Sequence, residues 1–488
     1  MATFNSHYPV TNEVIGSYEV TERAEVDLAV DLARDAAAAW IALGFSGRKK
    51  VLLRWSKLLM SRVDEITALI SKETGKPISD AKLEASLAAG HLAWAARHAE
   101  SVLRTSHRSP GALMANMSAT VERSPVGVVG VIGPWNYPIF TPMGSISYAL
   151  AAGNTVVFKP SEFTPGVGLL LAQTFAEVAP SKHIFSCVTG LAETGKYLCE
   201  SGVNKLAFTG STKTAKVVAA TCAARMTPVV LECGGKDPVI VADDADIKRA
   251  ADATVWSSMS NAGQTCIGAE RVYVDKKVAQ EFIDEVVRIA KTIKPGAPGQ
   301  GNYGPATMPS QIKVIQSHID NALASGGKAL VGGKDSVQAP FVSPVVLVDV
   351  PETSTAMTEE TFGPTIVINT VEDMDEAIML SNASKYGLGS SIWSRRKGKK
   401  IAHRLHCGMV AINSTISFAA IATVPFGGVK ESGYGRIHGP EGILEFTYPR
   451  TVIRARFQLP ISFTSFKRTA GNDKLIVSLT KWLNGRLG

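Results

Sequence analysis

A glutamate and a cysteine lie in two glycine-containing loops only 34 positions apart in the sequence. Glu232 ends the apolar run that begins at Pro228, and two glycines follow it closely. Cys266 ends the polar segment 261–266. A thiolate is a strong nucleophile, and a carboxylate can activate the water that releases what the thiolate has captured. The pair therefore predicts covalent catalysis at a carbonyl carbon.

Each of these residues also has a purely structural interpretation. Cys266 is compatible with an ordinary buried cysteine, although its polar, glycine-containing neighbours favour an exposed loop. Glu232 ends a buried strand, where a carboxylate must be solvated, paired or protonated. It is either half of an ion pair or a general base whose pKa burial raises. Asn136, between Pro134 and Pro138, is either a turn residue or an amide donor to an oxyanion.

Strand-like and helical segments alternate from residue 126 to residue 232. The β-branched run 126–132 is typical of a strand that is buried on both faces. The alternation predicts a doubly wound parallel sheet, which binds ligands at the carboxyl ends of its strands. It restarts after Gly235 and so predicts a second α/β domain that carries Cys266. The residues before the first sheet predict three helices, at 22–43, 47–74 and 79–101.

The loops after two of these strands predict a nucleotide site. Gly210 allows a close backbone approach, and a helix that starts near Ser211 favours a phosphate at its N-terminus. Lys159 and Glu162 follow a neighbouring strand, where a carboxylate can accept hydrogen bonds from ribose hydroxyls.

Composition narrows the class of protein. With 488 residues, the chain is too long for one hydrophobic core and predicts two or three domains. The net charge of +8 would suit anionic partners, but the basic run 395–400 has no aromatic interleaving, so we expect no nucleic-acid binding. Six scattered cysteines without a CxxC pair predict no metal site and a reducing compartment. Without a signal sequence or an apolar spanning run, we expect a cytoplasmic protein.

Seven motifs, in this order and spacing, resemble those of the NAD(P)-dependent aldehyde dehydrogenase superfamily from about Tyr8 to Arg450. The motifs are PWNYP at 134–138, KPSE at 159–162, FTGS at 208–211, LECGGK at 231–236, GQTC at 263–266, EETFGP at 359–364 and PFGGVKESG at 425–433. The resemblance implies an α/β, aldehyde dehydrogenase-like fold that assembles as a homodimer or homotetramer. The implied parts are a Rossmann-type NAD(P)-binding domain (1–103 and 124–233), a second α/β catalytic domain (234–437), a β-arm for oligomerisation (104–123 and 438–460) and a basic amphipathic tail (461–488).

The resemblance also implies roles. Cys266 would attack an aldehyde to give a thiohemiacetal, and Asn136 with the Cys266 backbone N–H would hold the oxyanion. Glu232 would activate the water that hydrolyses the later thioester. NAD is the expected cofactor and NADP the alternative, because Glu162 should repel a 2′-phosphate. The implied cofactor contacts are Pro134, Trp135, Lys159, Ser161, Glu162, Gly210, Ser211, Glu360 and Phe362, with no metal.

Three positions depart from the family pattern. Ala215 replaces a glycine of the pyrophosphate helix, Cys233 a leucine and Asp237 an asparagine. Two other functions fit the same fold. A CoA-acylating enzyme of this superfamily typically lacks the general base, so Glu232 argues against it. A non-catalytic binding or structural protein would not need the three catalytic residues together.

The C-terminal tail predicts an amphipathic helix at 472–484, capped by Asn472 or Asp473 and ended by Gly485. The simplest interpretation is a helix packed on its own subunit or a partner. The alternative is peripheral contact with an anionic membrane, or a cover over the substrate tunnel, serving medium- to long-chain aliphatic or aromatic aldehydes. His438-Gly439 is similar to the subclass that acts on such aldehydes. The apolar stripe is Leu475, Ile476, Leu479, Trp482 and Leu483, and the basic flanks are Lys467, Arg468, Lys474, Lys481 and Arg486.

Overall fold

The computed structural model describes residues 2–458 and 465–485. The chain forms two compact units, which are described separately. The first contains the residues up to 102 together with 125–447, and the second contains 103–124 and the residues from 448 onward. Residues 438–447, assigned above to the arm, thus belong to the first unit. The division of the first unit into cofactor and catalytic domains stays a prediction.

The chain begins with an antiparallel hairpin followed by four helices rather than three. The stretch predicted as one helix, 47–74, is interrupted at Arg62, whose backbone (φ −106°, ψ 19°) is not helical. Gly75 ends the next helix in the left-handed conformation (φ 73°), as a Gly-Lys-Pro sequence predicts. The elements are β1 (Thr3–His7), β2 (Val14–Glu19), α1 (Arg23–Ala42), α2 (Gly44–Ser61), α3 (Val63–Thr74) and α4 (Ile78–Leu103). The second unit then contributes β3 (Ser106–Arg108) and β4 (Met117–Pro125).

The predicted alternation forms the first large sheet. Five of its six strands are parallel and lie in the order β9-β8-β5-β6-β7. Valines, phenylalanine and leucine on these strands are almost fully buried, because helices cover both faces. The elements are β5 (Val128–Ile132), α5 (Phe140–Ala152), β6 (Thr155–Lys159), α6 (Pro165–Ala176), β7 (Phe185–Cys187), α7 (Ala192–Glu200), β8 (Lys205–Gly210), α8 (Thr212–Ala223) and β9 (Val229–Cys233).

A second sheet of seven strands confirms the second α/β region. Its order is β12-β15-β16-β11-β10-β17-β18, and only the β12–β15 pair is antiparallel. The elements are β10 (Asp237–Val241), α9 (Ile247–Met259), β11 (Ala269–Asp275), α10 (Ala279–Ala290), α11 (Pro309–Ala324), β12 (Lys328–Val331), β13 (Val337–Gln338), β14 (Phe341–Val342), β15 (Val345–Val348), α12 (Thr355–Thr358), β16 (Thr365–Val371), α13 (Met374–Ala383), β17 (Ser391–Trp393), α14 (Gly398–Ala402), β18 (Ala411–Ile412) and α15 (Ser417–Ala420).

The chain then returns to the first sheet before it enters the second unit. β19 (Gly433–Tyr434) pairs antiparallel with β9 and places Gly433 opposite Glu232. The elements that follow are α16 (Gly439–Glu445), β20 (Thr447–Ala455) and α17 (Ala470–Asn484). In the second unit, β20, β4 and β3 form a three-stranded sheet in that order.

The tail helix α17 starts earlier than the sequence suggests. Thr469 is its N-cap, and the Thr469 hydroxyl accepts a hydrogen bond from the Asn472 N–H at 3.3 Å. The predicted cap at Asn472 or Asp473 is therefore wrong, whereas the end at Gly485 is confirmed. Arg486 lies outside the described residues. Within the described ranges, no helix has the length and apolar character needed to cross a bilayer.

Candidate active site

The predicted cofactor residues lie at one edge of the first sheet. Parallel strands end at the same edge, and β6, β5, β8 and β9 are consecutive neighbours in the sheet. The carboxyl ends of these four strands therefore carry the predicted residues side by side. These are Pro134 and Trp135 after β5, Lys159, Ser161 and Glu162 at and after β6, Gly210 and Ser211 at and after β8, and Glu232 on β9.

Glu162 is the exposed acid of this edge. Its side chain is 40% exposed, and its Oε2 lies 3.8 Å from the buried Lys159 Nζ. The Ser161 hydroxyl donates a hydrogen bond to the same oxygen at 3.3 Å. Burial lowers the pKa of Lys159, and the Glu162 charge opposes that shift. Within the described ranges, the other carboxylate oxygen, Glu162 Oε1, has no hydrogen-bond partner.

Ser211 joins β8 to α8 as a helix cap. Its hydroxyl accepts a hydrogen bond from the Thr214 N–H at 3.3 Å, so it satisfies one free donor of the first turn. Ala215 is 2% exposed and packs in a cluster with Phe208 and Leu231. The departure from glycine at this position is therefore compatible with helix–sheet packing.

Three aromatic rings and the Glu360 carboxyl group lie near the loop that follows β5. Trp135 contacts the edge of Phe362 at 5.6 Å and lies 6.5 Å from Phe163. Glu360 accepts a hydrogen bond from the Gly235 N–H at 3.3 Å. Burial raises the pKa of Glu360 to about 8, with a further contribution from the Glu270 charge.

Three consecutive left-handed residues shape the loop that presents Cys266. Asn261 and Ala262 have φ near 53° and 58°, and Gly263 has φ 72°. A Cβ on Gly263 would lie 2.0 Å from the Gly363 carbonyl oxygen, so only glycine fits. The Gln264 side chain holds the loop by donating to the Asn261 carbonyl at 2.8 Å. This strain is of the kind that surrounding structure must enforce.

The Cys266 thiol is protonated in this environment. Burial raises its pKa well above the ordinary value, and nearby Glu360, Asp237 and Glu232 raise it further. The Ile267 backbone N–H acts in the opposite direction. A thiol of this kind reacts only after it loses its proton.

Asn136 reaches the cysteine loop from the other side. Its Nδ2 donates to the Gln264 carbonyl at 2.9 Å, two residues before Cys266. Its own carbonyl oxygen accepts from the Asn261 amide at 3.1 Å and from Lys76 Nζ at 2.7 Å. The Asn136 side-chain amide therefore contacts the loop that carries Cys266, while the Asn136 backbone carbonyl is held by two donors.

A buried ion pair that the sequence analysis missed anchors this loop. Lys76 Nζ lies 2.7 Å from Glu84, and both side chains are at most 1% exposed. Glu84 also accepts from the backbone N–H groups of Ile139 at 2.9 Å and Phe140 at 3.3 Å. The available signal was an acid on the Ala-rich, buried face of α4, since Glu84 lies one turn from Ala81 and from Ala88.

Glu232 is almost wholly buried and has no hydrogen-bond partner among the described residues. Burial raises its pKa well above the ordinary range, and Arg436 only partly offsets this effect. A Cβ on Gly427 would lie 2.7 Å from Glu232 Oε1, so the carboxyl group lies against that glycine. The raised pKa favours the neutral form, which becomes a base once it loses its proton.

One cavity of about 270 Å³ connects these groups. Cys266 and Glu232 line it together with mostly apolar and aromatic side chains, including Phe140 and Phe426. Leu83 and Trp256, also in its wall, are about half exposed. Its charged lining is acidic, and neither lysine nor arginine occurs in the wall within residues 2–458 and 465–485.

Known proteins share both the sequence pattern and the fold. A model of the aldehyde dehydrogenase family matches residues 2–452. A 4,4'-diapolycopene aldehyde oxidase of Methylomonas sp. is 37% identical over 94% of this chain and 87% of its own length. A glutarate-semialdehyde dehydrogenase of Pseudomonas putida is 36% identical over 90% and 92%, respectively. The crystal structure of an NAD-dependent aldehyde dehydrogenase from Sinorhizobium meliloti superimposes with a TM-score of 0.91 at 31% identity, covering 95% of this chain and 93% of that one.

The two sheets and the cavity lined by Cys266 and Glu232 therefore define a protein of the aldehyde dehydrogenase fold. The chain belongs to the aldehyde dehydrogenase family, whose members are oxidoreductases that act on aldehydes.

The Lys76–Glu84 pair leads to a stability prediction. We expect Lys76→Met to lower the free energy of unfolding by about 3–5 kcal/mol, because it leaves a buried carboxylate unpaired. Lys82→Met is the matched control, since its pair with Asp64 is exposed and contributes only about 0–1 kcal/mol. Urea denaturation of both variants measures the difference. Equal stabilities would contradict the anchoring role.

Proposed function

We propose that this protein oxidises an aldehyde to the carboxylic acid with NAD or NADP as hydride acceptor. A thiohemiacetal and then a thioester form on Cys266. One observation carries the proposal: Cys266 and Glu232 line the same apolar cavity, and the Asn136 amide is bonded beside the cysteine.

The residues act in sequence. After deprotonation, Cys266 Sγ adds to the carbonyl carbon, and the electron pair of the C=O bond moves to oxygen. The Asn136 amide and the Cys266 backbone N–H stabilise that oxyanion. A bound oxidised dinucleotide would supply the hydride acceptor, and as the hydride leaves the former carbonyl carbon, the oxyanion re-forms the C=O bond and leaves a thioester on Cys266. Ionised Glu232 then removes a proton from the water that attacks the thioester, and Cys266 leaves as a thiolate.

The first sheet fits a dinucleotide. Ser211 and the first turn of α8 supply backbone N–H groups at a helix N-terminus, which suits a pyrophosphate. Glu162 and Lys159 at the end of β6 suit the adenosine ribose. Trp135, Glu360 and Phe362 lie toward Cys266 and suit the nicotinamide half. Pro134, Ser161 and Gly210 would complete the contacts.

The cavity favours apolar substrates. Its wall is largely hydrocarbon and aromatic, and it offers no lysine or arginine among the described residues to compensate the desolvation of a second carboxylate. We therefore propose medium- to long-chain aliphatic or aromatic aldehydes rather than semialdehydes. Glu232, as a hydrolytic base, favours release of a free acid over transfer to CoA.

The first prediction of this mechanism separates acylation from hydrolysis. We expect Glu232→Gln to lower steady-state turnover by about a hundredfold or more, because hydrolysis loses its base. A burst of reduced cofactor close to one equivalent per site should survive in rapid mixing. Turnover of the native protein should rise with pH as the raised pKa of Glu232 is passed, and the variant should lose that rise.

Cys266→Ser is the control for this experiment, because it should remove the burst and the turnover together while cofactor binding persists. Unchanged steady-state turnover in Glu232→Gln would make the carboxyl group structural. Substantial activity in Cys266→Ser would overturn the assignment of the nucleophile.

A second prediction concerns the cofactor. We expect higher kcat/KM with NAD than with NADP, because the Glu162 charge opposes a 2′-phosphate. Glu162→Gln should narrow that ratio by about tenfold, since it removes a like charge. Glu177→Gln, an exposed pair with Arg62, should leave the ratio unchanged. Equal efficiency with both cofactors in the native protein would contradict this preference.

A third prediction concerns the substrate and the tail. The apolar residues of α17 include Leu475, Val477 and Leu479, all more than a third exposed. We propose that this helix contacts anionic membranes. The intact chain should float with anionic vesicles, and a chain ending at Arg456 should not. Homodimer or homotetramer formation stays a prediction.

The intact chain and the chain ending at Arg456 should both prefer alkanals to semialdehydes of equal length. Their kcat/KM should rise about fourfold per added methylene, from about 0.8 kcal/mol each, until the cavity is full. A preference for the semialdehyde would contradict the substrate class. If neither form floats, α17 serves only in packing.

A further inference from the structure

His438 is a polar residue of the cavity wall that the mechanism above leaves unused. Its side chain is 1% exposed and lines the cavity beside Ile437. Across the described part of the chain, neither Nδ1 nor Nε2 has a hydrogen-bond partner. Buried polar atoms without partners are costly and therefore rare, unless a water molecule or a ligand satisfies them.

The backbone of His438 adds a second cost. Its φ of 61° and ψ of 166° fall in a region that glycine occupies almost exclusively. Such strain persists only where the surrounding structure enforces it, and it is concentrated at ligand sites. A histidine with both penalties is not explained by packing alone.

Aromatic rings hold the imidazole in place. The His438 ring lies 4.2 Å from His91, 5.3 Å from Phe426, 5.6 Å from Phe140 and 5.7 Å from Tyr148 between ring centres. These neighbours leave the ring orientation well defined.

One edge of the ring lies against α5. A Cβ on Gly144 would approach His438 Nε2 to 2.7 Å, so glycine makes room for that edge. His91 is held in turn by Tyr148, whose hydroxyl is 3.2 Å from His91 Nδ1.

Both imidazoles are neutral. Burial lowers the pKa of His91 to about 4. Burial and the nearby His91 lower the pKa of His438 well below its ordinary value. A neutral imidazole offers one donor and one acceptor.

We propose that His438 binds an uncharged oxygen of the substrate, a hydroxyl or ketone group carried on the chain apart from the reacting aldehyde. A carboxylate is disfavoured, because the wall offers it no lysine or arginine among the described residues. His438 packs on the rings of His91, Phe140 and Tyr148, and it is not among the groups that shift the pKa of Cys266. On this basis we place the bound oxygen away from the reacting carbon. This inference rests on the proposed function and narrows its substrate class.

The test compares a linear alkanal with aldehydes of the same length that carry a hydroxyl or a ketone near the far end. We expect the native protein to turn over one or both oxygenated aldehydes with kcat/KM about tenfold above the alkanal, as one added hydrogen bond supplies. His438→Phe keeps a ring of similar size in the same backbone conformation and should abolish the preference. His438→Asn, which keeps a side-chain donor and an acceptor, should restore part of it.

His98→Gln, an exposed residue of α4, is the control and should leave the ratio unchanged. The proposal would be overturned if His438→Phe kept the native ratio of kcat/KM between the oxygenated aldehydes and the alkanal. It would also be overturned if the variant lost kcat/KM equally with all these substrates.

Calorimetric titration of Cys266→Ala with a linear alkanol and with the diol of the same length gives a measurement that needs no turnover. The diol should bind more tightly, and only while His438 is present; equal binding would overturn the proposal. Failure of the proposed function looks different, because the native protein would then reduce no cofactor with any aldehyde.

Discussion

Burial away from solvent governs the ionisation of the thiol and of three carboxyl groups near Cys266. Burial is the largest cause of the raised pKa values of Cys266, Glu232, Asp237 and Glu360. Glu360, Asp237 and Glu232 also raise the pKa of the thiol, and Asp237 raises that of Glu360, so these effects together favour the neutral forms. A site that favours neutral forms is compatible with apolar aldehydes, and it makes each ionisation a separate, controlled event.

The backbone around the cavity is built to tolerate this arrangement. The left-handed turn at Asn261 to Gly263 brings the thiol to the cavity, and the Lys76–Glu84 pair fixes the loop that carries Asn136. The pair is costly to bury, but it satisfies three backbone groups of one loop at once. Rigid elements therefore hold the reacting groups, so little reorganisation is left for the moment of reaction.

Local patterns were sufficient for the sheet architecture and for placing the proposed cofactor residues that follow β5, β6 and β8 at one end of the first sheet. Runs such as Val128–Ile132 are readable as buried strands, and the ends of parallel strands necessarily meet at one edge. Contacts between distant segments were not readable. Nothing near Glu84 in the sequence indicates that it accepts hydrogen bonds from Ile139, and nothing near His438 indicates that it packs on His91. The early start of α17 was missed because Thr469 competes with Asn472 and Asp473 as a helix cap.

The antiparallel pair of Gly433 with Glu232 has a consequence for how the protein is made. The strand β9, which carries Glu232, lacks its outer neighbour until about 200 further residues have left the ribosome, which takes roughly 10–40 s at typical translation rates. During that time the edge of β9 is open and can pair with another chain. Until β19 is made, the nascent chain is incomplete beside Glu232 and is also prone to associate with other chains through the open edge of β9. Pairing of β19 with β9 completes this part of the sheet and covers that edge at the same time.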